Sequence, residues 1–90
     1  MFNSESNSNL AKELDEDNSI VITPNGTSSY TITKKGILVG LADPSGTISC
    51  TVNGVTVKSS VKCFVIEVNN GDVVVCGGTN DRLSRVIPYK

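Results

Sequence analysis

Short runs of alternating apolar and polar residues, separated by turn residues, fill the chain from residue 19 onward. Residues 46–76 read GTISCTVNGVTVKSSVKCFVIEVNNGDVVVC, and β-branched runs in this stretch are divided by Asn53-Gly54 and Asn70-Gly71. Asn-Gly readily adopts the positive φ angles of a type I′ turn, whose twist matches that of a β-hairpin. This stretch therefore predicts a meander of four strands.

The same pattern of short apolar runs separated by turn residues continues on both sides of this stretch. Strand candidates lie at residues 19–23, 29–33, 37–42, 46–52, 55–57, 61–68, 72–76 and 83–89, with turn residues at 24–26, 34–36, 43–46, 58–60 and 77–82. Pro88 falls near the end of the last candidate, where a missing N–H is tolerated on an edge strand. Seven or eight short strands at this spacing predict an all-β fold, an antiparallel, jelly-roll-like β-sandwich over residues 19–90.

Residues 1–18 differ from the rest, because they are rich in Asn, Ser, Asp and Glu and lack a strand pattern. Their apolar residues are Phe2, Leu10, Ala11 and Leu14. Ser8 or Asn9 is suited to cap a short helix through Asp15, with Leu10 and Leu14 on one face. We interpret this segment as an extended N-terminal arm. Either it becomes ordered on a partner, or it is a disordered tail.

Three strand candidates, Ile37–Ala42, Val61–Val68 and Val73–Cys76, are apolar on both faces. A two-layer sandwich buries only one face of each strand, so the second face needs a cover. A partner subunit is the economical cover, and loops or the arm are the alternative. The pattern does not distinguish the inner face from the outer one. The predicted oligomer interface consists of Val61, Cys63, Val65, Val74 and Cys76.

Charge and composition exclude several classes of partner. The formal net charge of the 90 residues is −1, and the Lys and Arg residues are scattered. Nucleic acids and anionic membranes need clustered cations, so neither is an expected partner. The N-terminus lacks the cationic start and apolar core of a signal peptide, and no apolar run approaches the roughly 20 residues of a membrane span. We expect synthesis in a cytoplasm.

No residue constellation indicates catalysis, a metal or a cofactor. The chain has no histidine, and its three cysteines, Cys50, Cys63 and Cys76, lack metal-ligand spacing. Lys58-Ser59-Ser60 is a polar turn rather than a Ser–Lys dyad, and the acidic residues 15–17 lie in the arm, away from any dry cleft. We expect a non-enzyme with three reduced, buried thiols; one disulfide plus one free thiol is the alternative.

Several motifs resemble those of compact β-sandwich domains in virion proteins of tailed bacteriophages. The runs TVNGVTV (51–57), FVIEVNNGDVVVCGG (64–78) and RVIPYK (85–90) resemble the hairpin, the Gly-Asp turn and the last strand of such domains. The run YTITKKGILVG (30–40) resembles their entry, although Lys35 stands where an acidic residue is usual. The resemblance covers residues 30–90.

The resemblance implies a non-enzymatic virion structural protein, either a capsid decoration protein or a head fibre, that forms a homotrimer. It also implies that the arm attaches the protein to the major capsid protein or another virion protein, with Phe2, Leu10 and Leu14 as anchor residues. A receptor- or glycan-binding tail-fibre module, with Tyr30 or Tyr89 exposed, is the alternative. A monomeric cytosolic β-domain is a third hypothesis.

Overall fold

The computed structural model describes residues 13–22 and 29–90, which form eight strands and one short 3₁₀ helix. Phe2, Leu10, the proposed caps Ser8 and Asn9, and the predicted turn at 24–26 lie outside the described residues. The helix is Glu16–Asn18, and the strands are β1 (Ile20–Ile22), β2 (Ser29–Thr31), β3 (Gly36–Ala42), β4 (Thr47–Val52), β5 (Val55–Val61), β6 (Cys63–Val68), β7 (Val73–Thr79) and β8 (Arg82–Pro88).

The strands form two antiparallel four-stranded sheets. The first sheet has the order β1-β8-β3-β6 and the second has the order β2-β7-β4-β5. Strand β1 pairs with β8, β2 with β7, β3 with β6 and β4 with β5, so the chain resembles one long hairpin folded over into two layers. This is the arrangement of a double-sheet jelly roll. The predicted antiparallel, jelly-roll-like β-sandwich is confirmed.

The two Asn-Gly turns make different connections between strands. Asn53 and Gly54 have φ angles of 53° and 81° and join β4 to β5 as a tight hairpin, as predicted. In the second turn only Gly71 has a positive φ, 94°, which is typical of a type II turn. That turn carries the chain from β6 in the first sheet to β7 in the second. The prediction of one four-stranded meander was therefore wrong.

Strand β5 contains the residues that the sequence predicted as a turn, 58–60. Its pairing with β4 shifts register twice, and Ser60 has a φ of 52°. The Ser60 amide donates to the Ser49 hydroxyl at 2.9 Å instead of to a strand carbonyl. Such bulges bend a strand and increase its twist. The predicted strand 61–68 is consequently divided, because β5 ends at Val61 and β6 begins at Cys63.

Lys62 occupies the corner where the chain passes from the second sheet to the first. Its carbonyl accepts a 2.8 Å hydrogen bond from the Ala42 amide. Its ammonium donates to the carbonyls of Pro44, at 2.8 Å, and of Gly46. One side chain therefore ties the corner to the turn between β3 and β4.

Two C-terminal boundaries also differ from prediction. Strand β7 continues to Thr79, through part of the predicted loop 77–82. Gly78 allows this, because a Cβ there would overlap the carbonyl oxygen of Thr47 on β4. Strand β8 lies between β1 and β3 and is not an edge strand. Pro88 is tolerated because it is the last residue of β8.

The core lies between the sheets and takes alternate residues from nearly every strand. The buried apolar side chains are Ile22, Ile32, Leu38, Ile48, Cys50, Phe64, Val68, Val74, Cys76 and Val86. Cys50 and Cys76 are register partners on β4 and β7, and their hydrogen bond together with burial raises the pKa of the Cys50 thiol. All three cysteines are free thiols, as predicted, but Cys63 is exposed rather than buried.

The last residues of the predicted arm are joined to the sandwich. Leu14 forms an isolated antiparallel bridge with Tyr89, and the Asp15 amide donates to the Pro88 carbonyl at 2.7 Å. These residues are extended against the end of β8, so the predicted helix does not continue to Asp15. Residues 13–18 thus contact the domain that we predicted to begin at residue 19.

We predict that Gly40→Ala destabilises the fold. Gly40 pairs with Phe64 across β3 and β6, and a Cβ at residue 40 would overlap the Phe64 ring, which is 6% exposed. Overpacking of this kind lowers the free energy of unfolding by about 1–3 kcal/mol in denaturant titrations. Phe64→Leu in the same chain should recover part of the loss. An unchanged stability of the single variant would contradict the close contact.

Candidate interaction surface

Strand β3 has one face in the core and one face outside. Gly36, Leu38 and Gly40 are buried, and the residues between them are not. Because side chains alternate along a strand, Ile37, Val39 and Leu41 point away from the core. The outer side of β3 is therefore entirely apolar.

The neighbouring strands continue this apolar surface. We call it the apolar face and define it by its residues, which are Val21, Ile37, Val39, Leu41, Cys63, Val65, Leu83 and Ile87. Cross-strand register aligns Leu83, Leu41 and Cys63 in one row and Ile87 and Ile37 in another. Val65 is 63% exposed, Leu41 59% and Val21 52%. An apolar surface of this kind on a small protein commonly marks an interaction site.

The second sheet has a different outer face. Its outward positions on β4 and β2 carry only Ser and Thr side chains, namely Ser29, Thr31, Thr47, Ser49 and Thr51. Val73 and Val75 are the apolar residues on the outer side of β7. Val55 and Val57 on β5 are also exposed, at 63% and 41%. The second sheet therefore exposes both polar and apolar side chains, whereas the outer side of the first sheet is mainly apolar.

Two opposite charges lie on the same outer side as the apolar face. Arg85, on β8, is aligned between Val21 on β1 and Val39 on β3. Glu67, on β6, is aligned with Ile37. Glu67 is the only carboxylate in the four strands of the first sheet.

Glu67 is held in place by two neighbours at the margin of the sheet. Its Oε1 lies 3.6 Å from the Lys35 ammonium, and its Oε2 accepts a 3.0 Å hydrogen bond from the Tyr89 hydroxyl. Desolvation and this hydrogen bond raise the pKa of Tyr89, so the phenol remains protonated and continues to donate. The orientation of the carboxylate is therefore set within the chain.

The structure separates the five residues of the predicted interface. Cys63 and Val65 are exposed and belong to the apolar face. Val74 and Cys76 are 0% and 1% exposed and lie in the core, because β7 turns these positions toward the first sheet. Val61 is half-buried and packs against the core from β5. The interface is corrected accordingly, and Val61, Val74 and Cys76 are removed from it.

Sequence reasoning missed Leu83 and Val21 as surface residues. Both lie in strands whose neighbours depend on long-range pairing, since β8 is placed between β1 and β3 by register. Leu41 was signalled by the two-faced run of residues 37–42. Of the predicted anchor residues, Leu14 is half-buried beside the end of β8.

A polar groove forms a second surface feature, at the end of the sandwich near the 3₁₀ helix. It has a volume of about 400 Å³, and its lining includes Asp15, Asp17, Asn18, Tyr30 and Lys34. The Asn18 amide donates to the Asp15 carboxylate at 2.7 Å, so two of these groups already satisfy each other. Tyr30 is half-buried and packs against the core rather than standing exposed.

Within residues 13–22 and 29–90, no three Cys, Asp or Glu side chains converge as metal ligands. In the same part of the chain, no helix is long and apolar enough to cross a membrane. Comparisons with family models, curated proteins and solved structures found no match.

We predict that substitution by aspartate destabilises the fold at Val74 but not at Val65. At Val74, which is 0% exposed, the carboxylate would be placed in the core, and the fold should lose more than about 4 kcal/mol. At Val65, which is 63% exposed, the isolated chain should remain folded. Circular dichroism during thermal unfolding measures both. Equal destabilisation would contradict the assignment of the two faces.

Proposed function

We propose that the chain is a non-enzymatic structural protein of a tailed-phage virion, either a capsid decoration protein or a head fibre. The observation that carries this proposal is the apolar face, a surface of mainly apolar side chains on the outer side of the first sheet. The jelly-roll topology adds an analogy, because this architecture recurs in viral capsid and lectin domains. Fold alone does not fix function, so the surface carries the proposal.

The apolar face is the surface through which we propose that copies assemble. Val65, Leu41 and Val21 are each more than half exposed, and burying such a side chain fully contributes roughly 1.5–3 kcal/mol. Several such residues on one face favour association over exposure to water. The resemblance of residues 30–90 to phage virion domains favours three copies, and we propose a homotrimer located on the virion.

Residues 1–12 are proposed to attach the protein to the major capsid protein or to another virion protein. They precede Glu13, whose carbonyl accepts a 3.0 Å hydrogen bond from the Lys90 amide. A salt bridge of 3.2 Å joins Lys90 to the Glu13 carboxylate. The attachment segment therefore starts from a fixed point beside the C-terminus. Phe2 and Leu10 remain its proposed anchor residues.

A glycan-binding tail-fibre module is the second candidate. The polar groove favours it, because carboxylate, amide and ammonium groups beside Tyr30 are the groups that bind sugar hydroxyls. Asp17→Ala with Lys34→Ala should then abolish binding of the chain to host-surface glycans in calorimetric titration. Absence of glycan binding by the unmodified chain would remove this candidate.

We predict that removing residues 1–12 abolishes attachment while preserving the fold and the assembly. The truncated chain keeps the Leu14–Tyr89 bridge and the Asp15–Pro88 hydrogen bond. Starting instead at Ser19 removes both and should lower the free energy of unfolding by about 1–2 kcal/mol. Light scattering gives the mass of each form, and immunoblotting of purified particles measures incorporation. Normal incorporation without residues 1–12 would contradict the attachment role.

A further inference from the structure

The two charges on the outer side of the first sheet lie in opposite halves of that sheet. Arg85 is on β8, next to the β1 edge, and Glu67 is on β6, the other edge, with β3 between them. They are also offset by two residues along the strands. Standard strand geometry therefore separates their Cα atoms by about 12 Å.

Arg85 and Glu67 are not paired with each other within one chain. Over residues 13–22 and 29–90, neither of the salt bridges found involves Arg85, and Glu67 is paired with Lys35. Arg85 has Val21 and Val39 as its cross-strand neighbours. In the isolated chain the guanidinium is exposed and hydrated, so this arrangement is tolerated.

A partner that covers the apolar face would also remove the Arg85 side chain from water. A guanidinium removed from water without a partner is costly, so a surface that covers Arg85 must supply a carboxylate. If the cover is the same face of another copy, the available strand carboxylate is Glu67. Because the charges are in opposite halves, a head-to-tail cyclic contact brings the β8 half of one copy against the β6 half of the next.

We propose that Arg85 of one copy forms an ion pair with Glu67 of the adjacent copy, and that this pair fixes the register of the assembly. The inference rests on the proposed assembly through the apolar face. Glu67 is prepared for the pairing, since Tyr89 and Lys35 hold its two oxygens and a carboxylate accepts several hydrogen bonds. An Arg guanidinium presents several N–H donors in one plane, and a carboxylate can accept two of them at once.

The test is a charge exchange in the full 90-residue chain. Arg85→Glu and Glu67→Arg each place like charges together, so each should weaken association at least about 10-fold in sedimentation equilibrium. The double variant restores opposite charges and should return to within about threefold of the unmodified chain. Lys58→Glu, which makes the same change of charge as Arg85→Glu but on β5 of the second sheet, should leave association unchanged.

The outcomes separate the pair from the assembly. A chain that is monomeric at every concentration overturns both. If the unmodified chain assembles and Arg85→Glu does not weaken association, the ion pair alone is overturned. The same holds if the double variant stays dissociated. Thermal unfolding checks that each variant is folded. If Glu67→Arg unfolds, Glu67→Gln replaces it, and equal association of Glu67→Gln and the unmodified chain overturns the pair.

Discussion

The pairing of β3 with both β6 and β8 is the interaction on which the rest of the structure depends. Both ladders run from Gly36 almost to the end of the strand, and together they set the register of the first sheet. That register places Leu38 and Phe64 inside while Val39 and Val65 remain outside. A slip by one residue would exchange these faces, so the core and the apolar face are specified by the same hydrogen bonds.

Local sequence patterns here predict the positions of strands and turns better than they predict which strands pair. Asn53-Gly54 specifies a hairpin because both residues adopt positive φ, and the structure has that hairpin. Asn70-Gly71 predicts a turn equally well, yet it does not encode that the chain crosses to the other sheet. Which face of a two-faced strand is buried also depends on distant pairing. For this reason the predicted interface contains both Val65, which is exposed, and Val74, which is buried.

The polar side chains of the loops are largely used to hold turns. Asp43 accepts hydrogen bonds from both the hydroxyl and the amide of Ser45, and these bonds lower the pKa of its carboxyl. The Asn69 amide and the Asn53 side chain lower the pKa of Asp72 in the same way, and that contact links two neighbouring turns. Carboxylates so engaged stay ionised and are poor proton donors.

The edge strands of the two sheets determine where another chain could add a strand. Within the described residues, β1 and β2 contain three residues each and β5 is bulged, so three of the four edges offer little regular backbone there for another chain to pair with. Strand β6 is the regular edge, and it borders the apolar face. The irregularities of β5 thus disfavour the addition of a further strand to the β5 edge as well as bend the sandwich.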